Sequence, residues 1–388
     1  MDQSDAPQRP AAVIMTGGGA RAAYQVGVLR ALSELLPAGA PCPFPIISGT
    51  SAGAVNAAVL AVDAFSFSRG VRRLMTVWKN IHVGDIYRAD AVGALRNSMR
   101  WAGAIFSGGA LGANNVSLLD SSPLAGLLER YLDLGAIQRN IDGGHLAAFS
   151  VTCSGYTSGE SVTFYQGRSG LENWRRARRI GVAMPISFDH LLASSALPLM
   201  FPPVRINREY FGDGSMRQIA PLSPALHLGA DRLLVIGVGR QLAPEGERVK
   251  TAGYPSIAKI AGHALNSIFL DSLEVDLERL LRINRTLQLI PAETLESTGY
   301  PLRRVACRVI RPSIDLEKIA TKHAHELPRT IRMLLRSVGG MSRNAPTLLS
   351  YLLFERGYCR DLIRLGYADT ISRKDDLTAF LHAREPAI

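Results

Sequence analysis

The chain reads as an α/β protein, a three-layer α/β/α core with a mostly helical C-terminal extension, and three observations predict it. The first is a strand, a glycine loop and a helix in succession near the N-terminus. The second is another strand that turns sharply into a helix at Ser51. The third is a set of short apolar runs, at 145–153, 161–165, 209–212 and 232–238, interleaved with stretches of helical period. Strands alternating with helices build a sheet that is covered on both faces.

The first element is the apolar run Ala11-Ala12-Val13-Ile14-Met15, followed by Thr16-Gly17-Gly18-Gly19-Ala20-Arg21 and a helical pattern from Ala22 to Leu36. Three glycines let successive N–H groups turn toward one point and remove the side chains that would keep an anion from the backbone. Gly17, Gly18, Gly19, Ala20 and Arg21 are therefore the expected oxyanion hole. The same residues, through Ala22, also fit a dinucleotide fingerprint. That alternative needs a carboxylate at the end of the next strand, yet the run around Pro45 to Ser48 ends in Gly49-Thr50-Ser51. No cofactor is expected.

The second element is Ile46-Ile47-Ser48-Gly49-Thr50-Ser51-Ala52-Gly53. A G-x-S-x-G turn bends so sharply that side chains at Gly49 and Gly53 would collide with the neighbouring strand or helix. Ser51 is left at a helix N-terminus, where the dipole favours developing negative charge, and it is the candidate nucleophile. The third element runs from Leu192-Ala193-Ser194-Ser195-Ala196-Leu197-Pro198 through Phe201-Pro202-Pro203-Val204 to Tyr210-Phe211-Gly212-Asp213-Gly214-Ser215. Asp213, flanked by glycines on a bend, is the candidate base. Asp142, in Ile141-Asp142-Gly143-Gly144, is locally its equal.

Taken together from Ala11 to Gly239, these elements resemble the patatin-like phospholipases, whose motifs read G-G-G-x-R-G, G-x-S-x-G and D-G-G or D-G-A. The resemblance implies a patatin-like core and a serine–aspartate dyad, with Ser51 as nucleophile and Asp213 as proton acceptor. It prefers Asp213 to Asp142 because the family's aspartate follows the alanine–serine–proline segment. Two positions depart from the pattern: Ala22 replaces the usual last glycine of the first motif, and Ser215 the usual last glycine or alanine of the third, both with small residues. The implied activity releases fatty acid from phospholipids or lysophospholipids through an acyl-enzyme, without a metal. Alternatives are a carboxylesterase or thioesterase on smaller acyl groups, and a catalytically silent lipid-binding protein. A Ser-His-Asp triad could draw on His227, His263, His323 or His325, but none of them sits in an exposed glycine turn. Arg21 either braces the glycine loop or meets a substrate phosphate.

The organisation expected is a polar tail over 1–10, a hydrolase domain over 11–250 and a helical extension over 251–388 packed on the core. With 47% apolar residues, 388 residues can bury a sizeable core. Neither a signal peptide nor a spanning run is visible, so a cytoplasmic protein is expected, with peripheral membrane contact open. Cys42, Cys153, Cys307 and Cys359 are widely spaced, so reduced thiols are the default. The net charge of +11 favours an anionic membrane surface over nucleic acid, for which no fold signature is present. The run Trp174-Arg175-Arg176-Ala177-Arg178-Arg179-Ile180 is read as a solvated helix face, or else as a headgroup-binding flap. The Gly- and Ala-rich stretch 85–115 is a candidate lid. Tyr351-Leu352-Leu353-Phe354 and Tyr358 either pack on the core or form an apolar membrane or dimer face; a homo-oligomer is left open.

Overall fold

The computed structural model describes residues 10–88, 117, 119–239, 256–297, 302–337 and 346–382. All but the first few residues of the candidate lid lie outside these. Among the described residues ten strands form one mixed sheet, in the order β10-β9-β1-β2-β3-β4-β6-β5, with β8 paired to β3 and β7 to β8. The centre is parallel: β1 (Ala11–Met15) lies between β2 (Ile46–Thr50) and β9 (Arg232–Ile236), β3 (Ala148–Gly155) follows β2, and β10 (Ala306–Ile310) follows β9. β1 and β2 are buried at every position, as strands covered by helices on both faces must be. The antiparallel side holds β4 (Ser161–Gly167) and, on β3's free end, the hairpin of β7 (Val204–Ile206) and β8 (Glu209–Asp213).

Two helices follow the two glycine turns: α1 (Ala23–Glu34) after the first and α2 (Ala52–Val62) after the second. Then come α3 (Phe67–Asn80), α4 (Val83–Ile86), α5 (Ser122–Tyr131), α6 (Gly135–Asp142), α7 (Phe188–Ser194) and α8 (Ser223–His227). The C-terminal segment supplies α9 (Ile257–Asn266), a π-helical turn (Ser267–Asp271) and α10 (Ser272–Gln288). It continues with α11 (Ala292–Ser297), α12 (Leu316–His323), α13 (Arg329–Ser337), α14 (Pro346–Leu352), α15 (Arg356–Ile371) and α16 (Lys374–His382). This segment does more than cover the core, since β10 extends the main sheet and α15 lies directly on α1. The two helices approach through glycines: a Cβ at Gly27 would overlap the Ile363 carbonyl, and one at Gly366 the Tyr24 carbonyl. Tyr351, Leu352, Leu353, Phe354 and Tyr358 are all buried, so they form core and not an exposed face.

The arginine-rich run corrects the helical reading. Trp174–Arg176 (β5) and Arg179–Ala183 (β6) form an antiparallel hairpin turned at Ala177-Arg178, with Arg178 at φ 56°. Trp174 anchors it, its ring stacked 5.1 Å from Tyr165 and 4.9 Å from His227. A short hairpin with its arginines crowded around the turn carries no period that separates it from a polar helix. Among the described residues, no helix is long and apolar enough to cross a membrane.

Candidate active site

At the end of β2 the chain has five residues' worth of small side chains in which to reverse into α2, and Ser51 takes the strain. Its φ of 56° and ψ of −134° lie where a residue with a Cβ is rarely held. The two glycines permit this: a Cβ at Gly49 would sit 2.5 Å from Ala54 Cα, and one at Gly53 would overlap the Met15 carbonyl. The Ser51 N–H donates to Ser194 Oγ (2.9 Å), and Ser194 Oγ in turn donates to the Thr152 carbonyl (2.7 Å). Ser194 thus holds the strained turn against β3, a role that sequence reasoning did not find.

Asp213 arrives from the opposite direction. β8 runs antiparallel to β3, with Asp213 opposite Cys153, and its N–H donates to the Ala196 carbonyl (2.9 Å). Ser51 Oγ donates to Asp213 Oδ2 at 2.6 Å, while the Ser215 N–H donates to Oδ1 at 2.9 Å. Asp213 is fully buried. Burial pushes its carboxyl up to about 6, against the opposing pull of the Ser51 and Ser215 hydrogen bonds. It is thus largely ionised at neutral pH, yet far more basic than a solvated aspartate.

The glycine loop faces this pair. Gly19 has a φ of 53°, and a Cβ there would overlap the Tyr351 carbonyl; one at Gly17 would lie 2.5 Å from Ser215 Oγ, and one at Gly18 would overlap Val238. Among the described residues, the N–H groups of Gly17, Gly18, Gly19 and Ala20 donate to no protein acceptor. The Arg21 N–H does, to the Gly18 carbonyl (3.1 Å), which removes Arg21 from the expected set of free amides. Its side chain is 3% exposed, donates to Ser350 Oγ (2.8 Å), Asn266 Oδ1 (3.4 Å) and Glu317 Oε1 (3.2 Å), and lies 4.0 Å over the Tyr351 ring. Arg21 therefore ties the loop to the C-terminal segment. Ala22 is completely buried, so the missing glycine leaves no gap, and Ser215 packs its hydroxyl against Gly17.

Ser51 and Gly19 line a pocket with about 640 Å³ of empty space, part of it open to solvent. Its remaining walls are almost wholly apolar: Val55 from α2, Trp78 from α3, Ile86 from α4, Leu127 from α5, Leu197 and Phe201 after α7, and Leu352 and Phe354 from the C-terminal segment. Nothing local in 350–354 signals this role, which arises from packing across most of the chain.

The rival residues lie elsewhere. Asp142 is exposed at the end of α6 and accepts from Gln138 (2.8 Å). Burial, then Arg176 and Arg179, push His227 down to about 4, beneath the stacked Trp174. His323 pairs with Glu326 and Asp361, and His263 and His325 are exposed.

A family model described as patatin-like phospholipase matches residues 13–226. No curated protein matches the chain. Among solved structures, similarity extends to VipD from Legionella pneumophila, with 16% identity over 96% of this chain and 67% of that one, at a TM-score of 0.36. It extends also to human GIVD cytosolic phospholipase A2 in complex with methyl gamma-linolenyl fluorophosphonate, with 13% identity over 97% of this chain and 59% of that one, at a TM-score of 0.41. The family match takes in the glycine loop, the serine turn and the aspartate within more than half of the sequence, and the chain therefore belongs to the patatin-like phospholipase family.

Proposed function

We propose that the protein is a serine acyl hydrolase that releases fatty acid from phospholipids or lysophospholipids. The observation that carries this reading is the 2.6 Å contact to a fully buried Asp213 from the Oγ of Ser51, a residue that lines an apolar pocket. Asp213 Oδ2 takes the Ser51 proton as Oγ attacks the ester carbonyl carbon. The carbonyl electron pair moves to oxygen, which meets the unbonded amides of Gly17 to Ala20. Collapse of the intermediate expels the alcohol, which leaves with the proton from Asp213. Water then attacks the acyl-enzyme, giving its proton to Asp213, and Ser51 is restored with the fatty acid released. An almost wholly apolar lining suits a fatty acyl chain.

An anionic bilayer is the partner we infer. The register puts Arg179 opposite Ser161 and Ser161 opposite Ser154, so the Arg178 turn lies at the same end of the sheet as Asp213. The β7–β8 hairpin projects from that end too, carrying exposed Arg205, Arg208 and Tyr210, with exposed Tyr156 beside it through its N–H bond to the Tyr210 carbonyl. Arginines mixed with interfacial aromatics suit anionic headgroups. Arg175 drops out of this set because it pairs with Glu160 (2.8 Å), and Arg179 because it is half-buried.

The test is fatty-acid release from phosphatidylglycerol-containing vesicles, beside hydrolysis of a short soluble ester. Ser51→Ala and Asp213→Asn should abolish both; a wild type inert on every ester would leave the silent lipid-binding reading. Charge reversal at Arg178, Arg205 and Arg208 should weaken vesicle binding about tenfold and spare the soluble ester. Unchanged vesicle binding would reject the membrane face.

A further inference from the structure

Two adjacent serines near the nucleophile have opposite hydrogen-bonding states. Ser194 Oγ is spent twice, accepting from Ser51 and donating to Thr152. Ser195 Oγ is buried and has no partner among the described residues, although the pocket that Ser195 lines with Ser51 and Gly19 is otherwise apolar. A buried hydroxyl without a partner destabilises the fold, and in an apolar wall an alanine would fill the place at no such cost. A group that weakens the fold and belongs to a residue in the pocket wall beside Ser51 is explained by what enters the pocket.

Resting on the reading of this pocket as an ester site, we propose that Ser195 is a substrate-binding residue whose hydroxyl is completed by an oxygen of the bound ester. The placement supports this. Ser194 touches the Ser51 backbone at 2.9 Å, so the next residue in the chain stands beside the ester and not at the far end of the acyl chain. The polar atoms a fatty acyl ester brings to that depth are its two ester oxygens. The carbonyl oxygen has the unbonded glycine-loop amides to meet, and the single-bonded oxygen has the proton that Asp213 receives. Ser195 gives the site a donor for whichever oxygen the loop does not saturate. The apolar wall then holds the chain, and Ser195 sets how deep the chain can run before the ester stops.

The test uses full-length protein and compares wild type, Ser195→Ala and Ser195→Thr on a long-chain oxygen ester and its thioester. Ser195→Ala should lower kcat/KM on the oxygen ester about tenfold while its Tm stays equal or rises, because Oγ makes no bond in the fold. Ser195→Thr, which keeps the hydroxyl, should stay within about threefold of wild type. Loss on the oxygen ester alone assigns the contact to the single-bonded oxygen, since sulfur is a weak acceptor; equal loss on both assigns it to the carbonyl. Unchanged kcat/KM on both substrates overturns the proposal. A second readout does not need turnover: in a Ser51→Ala background, adding Ser195→Ala should weaken binding of the long-chain ester about fivefold. Equal affinity there overturns the proposal on its own, whereas an inert wild type with the affinity loss present would count against the hydrolase reading alone.

Discussion

The floor and the roof of the site are built by different means. The floor comprises the glycine loop, the serine turn and the Asp213 bend, and at each of these places the backbone goes where a side chain would collide. The roof is bulky and comes in part from far along the chain: Tyr351, backed by Phe269 of the π-helical turn with ring centroids 5.1 Å apart, then Leu352 and Phe354. Chemistry on the floor needs atoms fixed to a fraction of an ångström, which small residues and forced turns provide. Selection of the substrate needs only shape and apolarity, which many combinations of large side chains supply. Arg21 joins the two, its backbone in the floor and its guanidinium in the roof.

This contrast can be broken in order of expected effect. Asp213→Asn keeps the shape of the floor and removes its base, so kcat should fall by about 10⁴-fold with the fold intact. A residual rate near wild type would mean that the short contact is structural. Gly53→Ala attacks the same floor sterically. With Met15 and Thr16 carbonyls in the way of a Cβ, it should cost about 4 kcal/mol in denaturant unfolding, whereas a cost under 1 kcal/mol would show that the turn can relax. Arg21→Ala unties roof from floor, leaving Glu317 and Ser350 without their donor. We expect about 3 kcal/mol of lost stability and a lower kcat at unchanged chain-length preference. A changed preference with normal stability would place Arg21 in the pocket's chemistry instead.

The same contrast explains what could be read from the sequence. Ser51, Asp213 and the three loop glycines were legible because a forced backbone leaves glycine at fixed short spacings. Ser194 and Ser195 lay within a recognised run, but which hydroxyl was spent and which was left free depends on contacts with Ser51 and Thr152 that no spacing records. Asn266, Phe269 and Ser350 carry no local signal: they are ordinary helix residues until α9, α14 and the π-helical turn meet the loop. The strands β5, β6 and β7 were missed for another reason, being short strands held by partners rather than by their own pattern.

The smallest effect is the most discriminating, because it separates what Asp213 does for catalysis from what it costs the floor. Its carboxyl, at about 6 in the folded protein, lies above the ordinary value of 3.8 that the unfolded chain would show. Between those two values the native state holds more protons than the unfolded state, so stability falls as pH rises through this window and the full cost is present above about 6. Asp213→Asn has no such group. The gap in unfolding free energy should therefore shift in favour of the variant by on the order of 2 kcal/mol between pH 4 and pH 7. Over the same interval kcat/KM of the wild type should rise and level off as the base ionises. Stability and activity would then move in opposite directions on one titration, as expected of a charge kept buried for its basicity. Parallel unfolding curves for the two proteins across that window would mean that Asp213 is ionised at no cost, and that its basicity has some source other than the dry floor.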